Sequence, residues 1–254
     1  MSAALQADGV AVRYPGAAAP VLADFDLAVA PGEIVALLGP SGVGKSSLLR
    51  VLGGLQAPSA GAVTAGGVAV HAPQPRIAVA FQDPGLLPWL TLEANVAFGL
   101  DFKRQPARSK AERQALVDAA IAEVGLDAAR KLHPAALSGG MAQRTALARC
   151  LARRPEVLLL DEPFGALDEV TRADMQRLLL KVVADHGAAA LIITHDIDEA
   201  LALADRVVLL GGAPARAIGE WPIALPHPRD DAIAETGALR VEILTALRAA
   251  IRPH

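Results

Sequence analysis

Residues 33–50 read Glu33-Ile34-Val35-Ala36-Leu37-Leu38-Gly39-Pro40-Ser41-Gly42-Val43-Gly44-Lys45-Ser46-Ser47-Leu48-Leu49-Arg50. The opening six are nearly all apolar, as in a strand buried on both faces. From Lys45 to Leu55 the apolar residues recur at helical spacing. Between strand and helix, Gly39–Ser46 fits G-x-x-x-x-G-K-[ST]. Glycines let the backbone wrap closely around phosphates, so several amides converge on anionic oxygens. The helix that follows adds its positive N-terminal end. Lys45 is placed to reach the β- and γ-phosphates, and the Ser46 hydroxyl to ligate Mg²⁺. With 22 Gly, 5 Lys and 14 Ser plus Thr, random placement gives roughly 0.002 such matches in a chain of this length, so coincidence is set aside. The stretch implies an α/β fold around a nucleoside triphosphate site.

Working outward, short strands are expected at Val10–Tyr14, Leu22–Val29 and Glu33–Leu38, and another at Ile77–Phe81 after the Pro/Gly/Ala-rich stretch Ala57–Pro75. Residues 84–154 read as helical. Ser109 with Glu112 has capping-box spacing, and a helix Lys110–Val124 ends at Gly125. A second helix runs from Gly139 or Gly140 to Arg153, before Pro155. Strand Val157–Asp161, helix Leu167–His186, strand Ala189–Thr194 and helix Ile197–Ala204 follow, an alternation that means parallel strands with crossover helices. A late strand Arg206–Leu210 with a Gly211-Gly212 turn and a terminal helix Asp231–Ile251 close the chain. One α/β nucleotide domain, residues 1–254, is expected to carry a helical insertion near 84–154.

Bulk properties narrow the class. A formal charge of −3 offers no basic field for nucleic acid. The single cysteine, Cys150, rules out an internal disulfide framework and sits in an apolar run, where a buried inert thiol is expected. Met1–Gly9 lacks the features of a signal peptide, and no segment has the roughly 20 apolar residues of a membrane span. The chain is expected to be soluble by itself and cytoplasmic.

Two further motifs carry chemistry. Val157–Leu160 is an apolar strand ending in Asp161 and Glu162, and ligands of open α/β sheets bind at the carboxyl ends of strands. Asp161 suits Mg²⁺, and Glu162 suits orienting an attacking water and taking its proton. Leu137-Ser138-Gly139-Gly140-Met141 opens a helix with exposed backbone donors, a second anion site. A plain N-cap accounts for Ser138 but not for both glycines. One loop already serves the triphosphate, so the second site is expected to complete the site of another chain.

In order and spacing, the loop at 39–46, Gln82, Leu137–Met141, Leu160–Pro163, Ala166-Leu167-Asp168 and His195 resemble the ABC transporter ATPases over about residues 10 to 210. The resemblance implies a P-loop NTPase fold with a mostly parallel core sheet, an N-terminal antiparallel β-subdomain and a helical insertion. It implies a head-to-tail pair of copies with two ATPs, each between one chain's loop and the other's Leu-Ser-Gly-Gly segment. Carried onto matching positions, Gly39, Pro40, Ser41, Gly42, Val43, Gly44, Lys45, Ser46 and Ser47 hold the nucleotide and Tyr14 stacks on adenine. Ser46, Gln82 and Asp161 belong to Mg²⁺. Glu162, His195 and Gln82 form the catalytic group, with Gln82 also touching the attacking water. Ser138, Gly139 and Gly140 hold the opposite γ-phosphate, and Asp168 crosses the interface. Plainer readings stand beside three of these: Tyr14 as a strand-edge aromatic, Gln82 as a solvated loop residue, His195 as a helix cap. Met141 departs from the family's usual glutamine.

Phe81–Val96, with its Leu86-Leu87-Pro88-Trp89 and Asn95-Val96, is similar to the nitrate, sulfonate and taurine import ATPases. That likeness implies integral membrane permease subunits as partners, a solute-binding protein as an indirect one, and a peripheral place on the cytoplasmic face of the inner membrane. Leu86–Leu90 would be the docking patch, with Trp89 in the core as the alternative. A regulatory GTPase is excluded, since the sole asparagine, Asn95, precedes Val96 rather than the lysine of a guanine reader. A small-molecule kinase has no use for Leu137–Met141. A non-transport ABC ATPase usually carries a long coiled-coil insertion or a second cassette, and neither is visible.

Overall fold

The computed structural model describes residues 3–165, 167–229 and 232–251. Ala166 and the expected helix start at Asp231 lie outside the described residues. Alternating burial makes β1 (Leu5–Val12) and β2 (Leu22–Val29) half-buried strands that pair antiparallel, Leu5 opposite Val29. β1 also pairs with β4 (Ala60–Ala65), which turns back into β5 (Val68–Ala69), giving the order β2-β1-β4-β5.

The second sheet holds β3 (Ile34–Leu38), β6 (Ile77–Ala80), β7 (Val157–Asp161), β8 (Ala189–Ile193), β9 (Arg206–Gly211) and β10 (Arg216–Pro222) in the order β10-β9-β3-β8-β7-β6. All its pairings are parallel except the antiparallel β9–β10 hairpin. β3, β7 and β8 are buried at every residue because both faces are covered.

Seven helices complete the described chain: α1 (Lys45–Leu52), α2 (Leu92–Ala97), α3 (Lys110–Glu123), α4 (Gly139–Leu151), α5 (Glu169–His186), α6 (Ile197–Leu203) and α7 (Ile233–Ile251). α2, α3, α4 and two short 3-10 turns fall between β6 and β7. Arg130 binds Asp118 of α3, Glu93 of α2 and Asp127, tying that segment together.

The strands of the second sheet divide the core by residue parity. Ile34, Ala36, Leu38, Leu158, Leu160 and Ile192 face α2–α7. Val35, Leu37, Leu159, Leu191 and Ile193 face the other way, onto Leu48, Leu49, Val51 and Leu52 of α1 and then Leu5, Val10 and Phe25 of the first sheet. α1 is thus clamped between two sheets. Each such fully buried aliphatic side chain stabilises the fold by roughly 1.5–3 kcal/mol.

Several boundaries differ from expectation. β1 begins at Leu5 rather than Val10, because Leu5 and Ala7 alternate inward with Gln6 and Asp8 outward. α1 stops at Leu52, where Gly53 and Gly54 break the pattern. α5 starts at Glu169, since Asp168 is its N-cap and not a helical residue. β4 and β5 lie in the Pro/Gly/Ala-rich stretch Ala57–Pro75, where no strand was expected, and α2 and β10 are additional. Cys150 is buried, and burial pushes its thiol up.

Candidate functional site

The loop between β3 and α1 turns on Gly42 (φ 79°) and Gly44 (φ 106°), left-handed positions that a side chain disfavours. Gly44 sits at the N-cap of α1, and no side chain caps that helix. Every other helix from α2 to α6 is capped, by Thr91, Ser109, Ser138, Asp168 and Asp196 respectively. The unpaired amides of the first turn of α1 therefore remain available to an anion. Lys45 is 7% exposed, and its Nζ donates to the carbonyls of Gly39 at 2.7 Å and Pro40 at 3.0 Å. Burial lowers its pKa, while Glu162 and Asp161 oppose the shift. The Tyr14 hydroxyl is hydrogen-bonded to Ser47, which holds the half-exposed ring over the start of α1.

Asp161 ends β7 beside this loop. Burial raises its pKa, and a hydrogen bond from Ser46 works against the rise. Ser46, Asp161 and Gln82 offer the all-oxygen donor set that Mg²⁺ takes alongside retained water, so the residues fit that ion.

Glu162 is a corner residue with φ 46°, a left-handed conformation that costs a non-glycine about 1–3 kcal/mol. Its amide donates to Ile193 O at 2.9 Å, which pins the corner to the end of β8. Oε2 accepts Gln82 Nε2 at 3.2 Å, and Oε1 lies 3.4 Å from His195 Nδ1. The structure thus unites Gln82, Glu162 and His195 at the carboxyl ends of β6, β7 and β8, and places Lys45, Ser46 and Asp161 next to one another. This arrangement can grip a triphosphate at one end and present a carboxylate to a water at the other.

Ser138, Gly139, Gly140 and Asp168 stand apart. Among the described residues, no hydrogen bond joins them to the loop 39–46. Ser138 Oγ accepts the amide of Met141 at 3.2 Å, so it does act as a cap. The glycines differ in kind: a Cβ on Gly139 meets nothing, whereas one on Gly140 would collide with Thr171 Cγ2. Asp168 accepts Thr171 N at 3.0 Å and Thr171 Oγ1 at 2.7 Å.

Three supporting residues escaped sequence reading, and a fourth, Asn95, was read there only as part of the Asn95-Val96 pair. Gln143, buried on α4, donates to Gln82 O at 2.9 Å. Arg149 of α4 donates to Gly85 O and Pro84 O at 2.9 and 2.6 Å. Asn95 is fully buried; its amide donates to Leu87, Leu90 and Thr91 carbonyls and its oxygen accepts Leu87 N. That staple shapes the loop that leaves Trp89 70% exposed, which removes the core reading of Trp89. Arg172 lies one turn beyond Asp168. A buried polar residue inside an apolar helix pattern was the signal for Gln143 and Asn95; nothing in the sequence marks Arg149 or Arg172.

The comparisons with known proteins agree with this geometry. The family model for the ABC transporter matches residues 22–165. The chain is 51% identical over 216 residues to a taurine import ATP-binding protein of Chromobacterium violaceum, covering 85% of this chain and 82% of the relative. It is 49% identical over 229 residues to an aliphatic sulfonates import ATP-binding protein of Xanthomonas axonopodis pv. citri, covering 89% and 90%. It is 46% identical to the nitrate import ATP-binding protein NrtC of Synechococcus elongatus over 209 residues, 82% of this chain but 32% of that one. Among solved structures, the ATP-binding cassette MJ0796, dimeric and bound to ADP and Pi, superposes with a TM-score of 0.76 at 29% identity, covering 87% of this chain and 100% of that one. The cbiO1 subunit of Clostridium perfringens gives 0.79 at 25% identity, covering 96% of each. With its loop, its acidic strand end and more than half its length in agreement, the chain belongs to the ABC transporter family.

Proposed function

We propose that this chain is the ATP-hydrolysing subunit of an importer, working as a head-to-tail pair of copies and driving uptake of nitrate, taurine, an aliphatic sulfonate or a related small anion. The observation that carries the reading is the asymmetry of the helix ends. α1 leaves its N-terminal donors uncapped at the loop 39–46, while a second glycine-bearing helix start, Ser138–Gly140, shares no bond with it. Each copy would supply both halves, one to its own ATP and one to the other's.

In this reading Lys45 leaves the Gly39 and Pro40 carbonyls for the β- and γ-phosphates. Gly39 to Ser47 cradle the phosphates, and Tyr14 stacks on adenine. Ser46, Asp161 and Gln82 would hold Mg²⁺, which neutralises charge on the phosphate oxygens. Glu162 orients the attacking water and takes its proton, and His195 contacts the γ-phosphate. Ser138, Gly139 and Gly140 hold the opposite γ-phosphate, and Asp168 reaches across.

The permease subunits would meet the face bearing Phe81, Phe98 and Phe102, which line a cavity of about 540 Å³ rimmed by Arg149 and Arg153. Asn95 and Arg149 fix the neighbouring loop with Trp89 outward. Three exposed aromatics around one hollow fit an apolar helix end better than water. On this reading the chain attaches peripherally at the cytoplasmic face, its solute-binding protein reached through the permease; no described helix is long and apolar enough to cross a membrane. On this reading the chain is one ATPase domain, with 84–154 as its helical part and α7 (Ile233–Ile251) as its late helix.

The test is reconstitution with the permease and binding protein of its gene neighbourhood, followed by ATP-dependent uptake of nitrate, taurine and alkanesulfonates. Uptake of one solute supports the reading; turnover of ATP with transport of none refutes the solute class.

A further inference from the structure

Away from the nucleotide loop, α5, α6 and α7 enclose a cavity of about 380 Å³. Two helix faces form its sides. Ala173, Gln176, Arg177 and Leu180 of α5 line one, at the three- and four-residue spacing of a single helical face. Ile233, Thr236, Gly237 and Arg240 of α7 line the other at the same spacing. Buried Leu201 and Leu203 of α6 give it an apolar floor. Arg229 fixes this frame. Its Nη1 donates to Leu201 O at 2.7 Å and to Ala204 O at 2.6 Å, and its Nε donates to Leu225 O at 3.1 Å. The stretch before α7 is thereby stapled to the end of α6.

Charge is unevenly placed around the cavity. Its lining carries three guanidinium groups, Arg177, Arg229 and Arg240, against one carboxylate, Asp198. Arg240 gives Asp198 only its Nε, at 2.7 Å, and Arg177 gives Asp174 only its Nη1, at 3.2 Å. The remaining N–H groups of both forks make no hydrogen bond among the described residues. Both side chains stand at the open rim, where a guanidinium fork matches the oxygens of a carboxylate or sulfonate. Gly237 is a second, independent observation. It lies within α7, where glycine costs a helix stability relative to alanine. A Cβ there meets nothing within 4 Å, so no described neighbour requires the glycine. Its effect is to leave the α7 side of the cavity open to close approach.

We propose that this cavity binds a small organic oxyanion, a carboxylate or sulfonate on a short aliphatic body. Arg177 and Arg240 take the head at the rim, and the body lies over Gly237 against Leu201 and Leu203. The volume is that of small-molecule sites, which pair an apolar lining with a few fixed polar groups. An inorganic anion leaves the floor uncovered, and a neutral alcohol leaves the forks unmatched. The site is separate from Gly39–Ser47 and does not depend on the ATPase reading.

The experiment is calorimetric titration of the full chain at low ionic strength with hexanesulfonate, hexanoate, sulfate and hexanol. At least one of the two organic anions binds at a single site with a Kd below about 1 mM, and sulfate and hexanol bind at least about tenfold more weakly. Gly237→Leu fills the cavity and abolishes binding while melting no lower than wild type. Arg177→Gln and Arg240→Gln each weaken binding about tenfold. ATP affinity, read with a fluorescent nucleotide, stays within about twofold in every variant, which checks that each is folded. No saturable heat with either organic anion up to about 10 mM overturns the proposal. So does undiminished binding by Gly237→Leu, or sulfate or hexanol binding as tightly as the organic anions. Should Gly237→Leu fail to fold, the two rim variants decide: unchanged affinity in both overturns the proposal, and a loss in both upholds it.

Discussion

Glu162 Oε1 lies 3.4 Å from His195 Nδ1 while its Oε2 accepts the Gln82 amide at 3.2 Å, so one carboxylate is held from both sides at the end of β7. Such a carboxylate can hold a water in line. Glu162→Gln keeps the shape and removes the base, so ATP turnover is expected to fall by about 10²–10³, with ATP binding intact. Phosphate release measures the first effect. Sedimentation with ATP measures a second: the variant accumulates as a two-chain species, and a monomer under those conditions sinks the paired-copy model.

Lys45 is satisfied by the Gly39 and Pro40 carbonyls at 2.7 and 3.0 Å without any nucleotide. Its ammonium keeps the loop in a phosphate-ready shape. Lys45→Ala should therefore weaken ATP binding by about a hundredfold, the loss of one buried charge-assisted contact, read by fluorescent-nucleotide titration. Equal affinities in wild type and variant would exclude the loop as the triphosphate site.

Gly140 and Gly139 make a matched pair. A methyl on Gly140 collides with Thr171 Cγ2, whereas Gly139 faces open space. Gly140→Ala should cost about 1–3 kcal/mol in urea unfolding and Gly139→Ala far less. Thr171→Ser removes the clashing methyl yet keeps the hydroxyl bonded to Asp168, so it should recover most of the Gly140→Ala loss. No recovery would show that the glycine answers to something other than Thr171.

Burial raises the carboxyl of Glu199 from 4.5 to about 7; Thr194, Arg172 and His195 pull against that rise and Asp196 adds to it. The folded chain then holds this proton more tightly than the unfolded chain. The resulting stability is complete below pH 4.5 and is lost as pH rises through about 7, on the order of 3 kcal/mol. Glu199→Gln cannot titrate, so it should melt higher than wild type at about pH 8 and show a flatter decline across that window. Calorimetry across pH checks this; a variant that melts lower at about pH 8 contradicts it.

The elements that could be read in the sequence are those whose burial is simple. β3, β7 and β8 are buried on both faces, so unbroken apolar runs announced them. Ser109–Glu112 announced α3 because both halves of its capping box form. β4 hid in Ala60-Gly61-Ala62-Val63-Thr64-Ala65, where small residues blur alternation and pairing with β1 decides the conformation. β10, an edge strand with little burial, hid for a related reason. At the site, Gln82, Glu162 and His195 were legible because each follows an apolar strand of one parallel sheet. Arg149 was not, because its meaning comes from α4 lying beside the loop that carries Pro84 and Gly85, a relation that no local pattern encodes.

The clamping of α1 between two sheets has a mechanical consequence. Leu48, Leu49, Val51 and Leu52 are all fully buried, so the helix behind the phosphate loop has no room to travel. The loop is a fixed post. A stroke delivered by ATP would then be taken up by elements other than α1.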